Sequence, residues 1–484
     1  MSGSEIAAAL AAVLPADCVL AREEERRPYE CDALTAFRQL PAVVALPRNA
    51  AEVRQVLLTC SRLGVPLVAR GSGTGLSGGS TPHPQGVLLS LARMNRVLEI
   101  DPLNRLARLE PGVPNLKVSE AAAAHALYYA PDPSSQVACS IGGNVAENSG
   151  GVHCLKYGLT VHNVLGVRGF TVDGEPLELG GAAPDAPGLD LLALSIGSEG
   201  LLMIVTEVTV RLIPRPPCAQ LVVASFATVH GAADAVAAVI AAGIIPAALE
   251  LMDRKATVAV EPFVHAGYDL DAAAILLVES DGTAEEVADQ VQEIERVLRG
   301  AHASALRVSA SESERQRLWS GRKNAFPAAG RLSPDYYCMD GTIPRKHVGR
   351  VLDAIAEMES RYALTCFNVF HAGDGNLHPV IMFDSNRPGE WDKADRFGAE
   401  ILELCIAVGG TITGEHGVGV EKLGGMCAQF SPAERAAFAA VKEAFDPSTL
   451  LNPGKLIPTL AHCAEYGRMH VRGGALPHAD LPRF

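Results

Sequence analysis

The sequence predicts an α+β protein with two folded parts, one that holds a large ligand and one that covers it. Three polar, glycine-rich clusters lie in the first half of the chain, at 69–80, 140–151 and 195–200. The proline-rich stretch 213–217 then marks a boundary, and the alternating strands and amphipathic helices beyond it are typical of a separate α+β domain. A chain of 484 residues, 48% of them apolar, is long enough for two or three domains with their own cores.

The N-terminus is an alanine-rich stretch that predicts a short amphipathic helix ending near Pro15. It lacks the basic n-region of a signal peptide, and the apolar region 232–252 is too interrupted by polar residues, glycine and proline to span a membrane. We therefore expect a cytoplasmic protein, with peripheral contact at the inner membrane as the alternative. The net charge of −14 and the scattered basic residues exclude a nucleic-acid surface.

A strand, a helix and a second strand are predicted between residues 41 and 70. Residues 43–46 are apolar, Asn49 is a helix N-cap, and Gly64 ends the helix before the second strand. The first glycine cluster therefore begins at the end of a buried strand, where α/β sheets commonly bind ligands.

The first glycine cluster, ARGSGTGLSGGS at 69–80, predicts a pyrophosphate-binding loop, because glycine lets backbone amides approach a ligand closely. It contains the dinucleotide fingerprint GxGxxG at 73–78, but Pro82 and Pro84 prevent the helix that a Rossmann fold requires next. The Gly-Lys-Ser/Thr of a P-loop does not occur in the cluster. A flexible linker remains the alternative for this cluster alone, whereas three such clusters favour one extended ligand.

A metal site is predicted around the stretch FHAGDGNLHP at 370–379, which lies between two alternating apolar runs. If these runs are antiparallel strands, the turn places His371 and His378 side by side, and two imidazoles suit a divalent metal. Further on, the glycines of GGTITGEHGVG at 409–419 let Glu415 and His416 project from tight backbone, one as a third ligand and the other as a base. A polar turn is the structural alternative.

One cationic side chain is a candidate for substrate binding. Arg322, in the predicted helix that contains WSGRK, could hold a carboxylate through two parallel hydrogen bonds.

The eleven cysteines are odd in number and contain no C-x-x-C pair, so they predict neither a disulfide framework nor an iron–sulfur cluster. Electrons from any redox chemistry would have to leave through another molecule.

Together these motifs resemble the flavin-dependent 2-hydroxyacid dehydrogenases of the vanillyl-alcohol-oxidase type fold, and within them the members that oxidise glycolate. The resemblance extends from about residue 41 to 458. Its most specific stretches are ARGSGTGLSGGS, SIGGNVAENSGGVHCLKYGLTVHN, WSGRKNAFPAAGR, SPDYYCMDGTIPR, NVFHAGDGNLHP, GEHGVG and LLNPGKLIP.

The resemblance implies a two-part FAD-binding domain of the vanillyl-alcohol-oxidase type, an α+β substrate (cap) domain and a C-terminal segment that returns to the flavin. We expect an N-terminal helical segment at 1–40, the FAD-binding domain at 41–217, the cap domain with a metal site at 218–425, and the C-terminal helical segment at 426–484.

Noncovalent FAD is the cofactor that the resemblance implies. His153 is the nearest candidate for a covalent link, although nothing around it demands one. The expected FAD-binding residues are Arg70, Gly71, Ser72, Gly73, Thr74, Gly75, Ser77, Gly78, Pro131, Asp132, Ser135, Gly142, Gly143, Asn144, Asn148, Ser149, Gly158, Asn163, Glu199, Gly200, Ile204, Asn452 and Lys455.

The resemblance also implies a division of labour among the polar side chains. A divalent metal, Zn or Mn, would be held by His371, His378 and Glu415. The catalytic residues would be His416 as base, Arg322 on the substrate carboxylate, and Asn376. A carboxylate suits the metal and an imidazole titrates near neutrality, which agrees with this assignment of the two adjacent residues Glu415 and His416.

The implied reaction is oxidation of a small D-2-hydroxyacid, either glycolate to glyoxylate or D-lactate to pyruvate, by hydride transfer to the flavin. Relatives that act on 2-hydroxyglutarate carry a lysine near the position of Cys338, so its absence favours a monocarboxylate. Iron–sulfur and second flavin-type subunits, or a quinone, would accept the electrons. A metal hydrolase using the same His/His/Glu site and a non-catalytic flavin subunit of a larger complex are the alternatives.

Overall fold

The structure is a computed structural model that describes residues 1–183 and 188–458. The chain forms two compact units. The first contains Met1–Gly150, Leu159–Pro214 and the segment that begins at Glu415, and the second contains Gly151–Gly158 and Arg215–Gly414. Residues 459–484 of the expected C-terminal segment lie outside the described residues.

The first unit contains eleven strands within its described residues. They are β1 (Val19–Leu20), β2 (Val43–Ala45), β3 (Leu67–Arg70), β4 (Val87–Ser90), β5 (Val97–Asp101), β6 (Leu106–Leu109), β7 (Leu127–Tyr128), β8 (Val164–Phe170), β9 (Pro176–Gly180), β10 (Ile204–Arg211) and β11 (Ile213–Pro214). They form sheets of order β1-β2-β4-β3 and β5-β6-β10-β8-β9 and a β11-β7 pair.

The α-helices of the first unit are Gly3–Ala11, Glu23–Arg26, Ala50–Leu63, Asn115–Ala122, Ile141–Glu147, Thr160–Asn163, Leu191–Ser195, Leu423–Gln429 and Pro432–Phe445. Short 3-10 helices lie at Ala16–Cys18, Arg27–Tyr29 and Ala123–His125.

The predicted strand, helix and strand before the glycine cluster form as expected. The side chain of Asn49 accepts a hydrogen bond from Glu52 N, and Gly64 ends the helix Ala50–Leu63 in the left-handed conformation, with φ +63°. Strands β2, β4 and β3 are parallel, so the glycine cluster follows β3 at the carboxyl edge of this small sheet. Leu451 from the returning segment is fully buried in the same core.

The second unit is built on one seven-stranded antiparallel sheet. Its strands are β12 (Cys218–Phe226), β13 (Ala248–Asp253), β14 (Ala274–Gly282), β15 (Ala305–Val308), β16 (Asp335–Cys338), β17 (Cys366–Phe370) and β18 (Pro379–Phe383), in the order β15-β12-β14-β13-β17-β18-β16. Its α-helices are Cys154–Tyr157, Val229–Ala241, Arg254–Val264, Ala284–Gly300, Glu312–Lys323, Ala325–Leu332, Val348–Tyr362 and Glu390–Ala407, with a 3-10 helix at Arg345–His347.

The segment Gly151–Gly158 packs with the second unit, although it lies inside the range 41–217. Lys156 forms an ion pair with Asp281, and Tyr157 Oη donates to the other oxygen of the same carboxylate at 2.7 Å. These contacts hold the segment on β14.

None of the helices in the described ranges is both long and apolar enough to cross a bilayer.

Candidate active site

The two histidines of the predicted metal site lie at the turn of the β17–β18 hairpin in the second unit. The runs on either side are antiparallel, as expected, but the register places His371 opposite Asn376, and His378 lies two residues further on. The histidines are therefore diagonal neighbours rather than direct partners. Their ring centroids are 5.1 Å apart, and each offers a ring nitrogen within 4.8 Å of the other's.

Hydrogen-bond acceptors fix which nitrogen of each ring carries the proton. His371 Nδ1 lies 2.9 Å from Glu250 Oε1, and His378 Nδ1 lies 3.3 Å from the carbonyl oxygen of Met339. Because both oxygens accept, each Nδ1 is the protonated donor, and each Nε2 carries the lone pair that a metal requires. Two buried imidazoles with oriented Nε2 atoms are the donor set of a divalent-metal site, so the residues fit such an ion.

Glu250, on β13, joins the histidine to the predicted substrate-binding arginine. Arg322 Nε donates to Glu250 Oε2 at 2.6 Å, and Arg322 and Glu250 are 1% and 0% exposed. Burial by itself raises the pKa of Glu250, but the positive charge of Arg322 and the hydrogen bonds from His371 and Arg322 leave it below its ordinary value. The sequence analysis did not assign a role to Glu250. The feature that could have pointed to it is a carboxylate inside the apolar run ALELMD at 248–253.

A second unassigned carboxylate, Asp340, anchors the loop that precedes Glu415. Asp340 is fully buried, and one of its oxygens accepts from Thr413 Oγ1 at 2.6 Å and from Gly414 N at 3.0 Å. A Cβ at Gly414 would lie 2.4 Å from the side chain of Asn376, so this position requires glycine. Asn376 Oδ1 is buried and has no hydrogen-bond partner in the part of the chain that the structure describes.

Cys338 lies beside the histidine pair. It ends β16, is 5% exposed, and has its Sγ within 4.8 Å of a ring nitrogen of His378. A thiol offers no positive charge at this position.

In the first unit, the glycine cluster meets the N-terminus of the helix Ile141–Glu147. A Cβ at Gly71 would lie 2.2 Å from Ser140 Oγ, and Gly73 and Gly78 have φ of +71° and +72°. Ser77 Oγ is buried without a hydrogen-bond partner among the described residues. A close glycine backbone with an unsatisfied hydroxyl fits the phosphates of a dinucleotide cofactor.

The segment that begins at Glu415 closes on the same loop through predicted cofactor residues. Glu199 accepts from Val418 N at 2.7 Å and Gly419 N at 2.8 Å, and Asn452 Nδ2 donates to the carbonyl oxygens of Gly79 and Glu199. Residues 219 or more apart in sequence are thereby joined within one unit.

Three buried titratable groups accompany this contact. Burial lowers the pKa of Lys455 to about 7, although the negative charges of Glu199 and Asp32 act to raise it. Burial raises the pKa of Glu199. Burial also raises the pKa of Asp32 to about 6, which backbone hydrogen bonds and Arg70 oppose. The sequence analysis missed Asp32, because the segment around it carries no motif; Ala33 N donates to Gly75 O there.

The remaining predicted residues are distributed between the units. Asn144 Oδ1 accepts from Asn115 Nδ2 at 3.1 Å, and Asn148 Oδ1 accepts from Val161 N at 2.9 Å. Arg70, Ser72, Thr74, Gly75, Pro131, Asp132, Ser135, Gly142, Gly143, Ser149, Asn163, Gly200, Ile204, Glu415 and His416 also belong to the first unit, whereas His153 and Gly158 belong to the second. His416 Nε2 lies 4.0 Å from Glu415 Oε1.

Two family models match the chain. One described as "FAD binding domain" covers residues 41–180, and one described as "FAD linked oxidases, C-terminal domain" covers residues 215–456. FAD is therefore the cofactor, as expected.

Curated relatives match over almost the whole chain. The chain is 57% identical to "Glycolate oxidase subunit GlcD" of Escherichia coli (strain K12), over 96% of this chain and 93% of that protein. It is 39% identical to the protein of the same name in Bacillus subtilis (strain 168), over 89% and 92%. It is 31% identical to "D-lactate dehydrogenase" of Archaeoglobus fulgidus, over 86% and 92%.

Solved structures share the fold. The chain of p-cresol methylhydroxylase with substrate bound aligns with a TM-score of 0.80 at 17% identity, over 93% of this chain and 96% of that one. Alkyldihydroxyacetonephosphate synthase aligns with a TM-score of 0.73 at 18% identity, over 93% and 84%. The predicted fold class and the family resemblance are thus confirmed, and the chain belongs to the FAD-dependent 2-hydroxyacid oxidoreductases of the vanillyl-alcohol-oxidase type fold.

Proposed function

We propose that this protein oxidises a small 2-hydroxy monocarboxylate, with glycolate as the first candidate and D-lactate as the second. The observation that carries the proposal is the buried arrangement of Arg322, Glu250 and His371 next to His378. It combines a carboxylate-binding cation with two oriented imidazoles in a chain whose family transfers electrons to FAD. The name of the E. coli relative at 57% identity supports glycolate.

Arg322 is the group that binds the substrate carboxylate in this proposal. Its Nε is held by Glu250 and its Nη2 lies 3.5 Å from His371 Nδ1, so Nη1 and the remaining N–H of Nη2 are the donors for substrate. Binding through a guanidinium of restricted orientation decides which face of the α carbon meets the flavin. Asn376, whose Oδ1 is buried without a hydrogen-bond partner among the described residues, would orient the substrate through its side-chain amide.

His416 takes the hydroxyl proton in this proposal, since an imidazole is a base of suitable pKa near neutral pH. The flavin, when bound, accepts the hydride from the α carbon. A divalent metal, when bound, lowers the pKa of the substrate hydroxyl. His371 and His378 would hold that metal through Nε2, and Glu415, the residue after the anchored Gly414, would be the third ligand.

The preference for one carboxylate follows from the uncharged thiol of Cys338, which cannot pair with a second carboxylate. We expect anaerobic glycolate to bleach the flavin absorbance, D-lactate to do so at a comparable or lower rate, and D-2-hydroxyglutarate to do so poorly. Bleaching by none of these acids would contradict the proposed reaction, and this result would leave the non-catalytic flavin subunit as the better description. Family membership disfavours the metal hydrolase.

We propose that the reduced flavin passes its electrons to a partner subunit that carries an iron–sulfur cluster or a second flavin, or to a quinone. The ten cysteines described by the structure form no disulfide with one another, and the sequence has no cluster spacing. Turnover should therefore need a dye, quinone or partner subunit, with oxygen a poor substitute. Rapid oxygen-dependent turnover with stoichiometric peroxide would contradict this. The proposed location of the protein is the cytoplasm, with at most peripheral contact at the inner membrane.

A further inference from the structure

We propose that Glu250 is a positioning residue that holds the substrate-binding arginine and a metal-ligating histidine in one fixed geometry, so that both binding sites depend on a single carboxylate. This inference rests on the proposed function of the same site and adds to it a residue that determines how substrate and metal are bound.

The sheet places Glu250 where it can reach both partners. Strand β13 pairs with β17 so that Leu251 lies opposite Phe370, and the same register puts Glu250 opposite His371. One carboxylate oxygen accepts from Arg322 Nε at 2.6 Å, and the other accepts from His371 Nδ1 at 2.9 Å. The two partners use different oxygens, so replacing either oxygen by an amide NH2 group would remove one of the two acceptors.

Burial makes both contacts important. Arg322, Glu250 and His371 are 1%, 0% and 3% exposed, so water cannot replace a lost partner. A guanidinium left unpaired in such a place is costly and would reorient toward other acceptors. An imidazole without its acceptor would lose its fixed tautomer, and Nε2 would no longer carry the lone pair in every molecule.

The test compares Glu250→Gln with a matched control on the same strand, Asp253→Asn. Asp253 is also buried, at 7% exposure, but it accepts from Ala256 N and from Asn368, not from the proposed site. Three quantities are measured on the FAD-loaded protein. They are the affinity for Zn²⁺ by chelator competition, the affinity for 2-hydroxyisobutyrate by flavin absorbance, and the values of kcat and KM for glycolate. 2-Hydroxyisobutyrate has no α hydrogen and cannot be oxidised.

We expect Glu250→Gln to weaken Zn²⁺ binding by about 10- to 100-fold, the usual effect of removing the partner of a ligating histidine. Binding of 2-hydroxyisobutyrate should weaken by about 10-fold or more, as expected for a displaced charged hydrogen bond, and KM should rise with it. FAD content should stay at the wild-type level. Asp253→Asn should leave both affinities unchanged.

A Glu250→Gln protein whose two affinities match those of Asp253→Asn would overturn the inference, and so would loss of only one affinity. If Glu250→Gln does not fold, Glu250→Asp takes its place. It keeps the charge but is one methylene too short to reach both partners, so both affinities should fall, and wild-type affinities would overturn the inference. Failure of the proposed function looks different: the wild-type protein itself would bind no divalent metal, or no 2-hydroxyacid would reduce its flavin.

Discussion

The substitution Glu279→Gln should destabilise the second unit by about 3 kcal/mol at pH 7. Glu279 is 2% exposed and accepts hydrogen bonds from Arg315 Nη1 at 2.6 Å, from His153 Nε2 at 3.2 Å, and from Trp319 Nε1. Burial alone raises the pKa of its carboxyl, but the hydrogen bond and charge of His153 and the charge of Arg315 lower it to about 2. The carboxylate form is therefore strongly favoured in the folded protein.

The magnitude and its pH dependence follow from that pKa. The difference between the ordinary glutamate pKa of about 4.3 and the value of about 2 corresponds to about 3 kcal/mol of stability. Because the folded pKa is the lower one, this contribution is complete above the ordinary pKa and is lost as the pH falls toward 2. The gap between wild type and Glu279→Gln should therefore shrink to about 1 kcal/mol at pH 3.

Tryptophan fluorescence during urea unfolding measures this unit selectively, because the two tryptophans of the chain, Trp319 and Trp391, both lie in the second unit. The control is Glu293→Gln, which removes an exposed ion pair with Arg296 and should leave the midpoint unchanged. Equal midpoints for the two variants at pH 7, or a gap that does not narrow at pH 3, would refute the reasoning.

Three further predictions concern the cofactors and the proton. Acid precipitation should release all of the flavin, and flavin retained in the pellet would point to a covalent link through His153. His371→Ala and His378→Ala should each keep FAD but lose a stoichiometric divalent metal and most turnover, which elemental analysis of the purified variants checks. His416→Ala should keep both metal and FAD while losing roughly two to four orders of magnitude in turnover, with partial recovery at high pH, whereas Glu415→Ala should lose the metal first. A metal-free or fully active His416→Ala protein would contradict that division.

Structural features that depend on residues close together in the sequence were predicted from the sequence. Asn49 and Gly64 limit one helix because capping depends on neighbouring amides and carbonyls, and the loop 69–80 is irregular because its prolines and glycines act within a few residues. The β17–β18 hairpin was predicted for the same reason: its turn and its apolar runs are contiguous. These features, together with the motifs, were enough to identify the fold class, FAD and the family.

Partners distant in sequence were not predictable, because they depend on which strands become neighbours. Glu250 meets His371, 121 residues away, because β13 lies next to β17, and it meets Arg322, 72 residues away, because the helix Glu312–Lys323 packs against the same sheet. Asp340 meets Gly414, which is 74 residues further along the chain. A lone carboxylate in an apolar strand is visible in the sequence, but the cation that stabilises its buried charge is not.

The diagonal placement of His371 and His378 shows the same limit on a smaller scale. Strand pairing was evident from the apolar runs, but the register was not, and a register decides which side chains face each other. The sequence by itself determined the residue types available for chemistry, which follow from local pattern, and its resemblance to a known family identified the fold class and the flavin. Only the tertiary structure decided which carboxylate holds which cation, because long-range pairing is set by sheet order and burial.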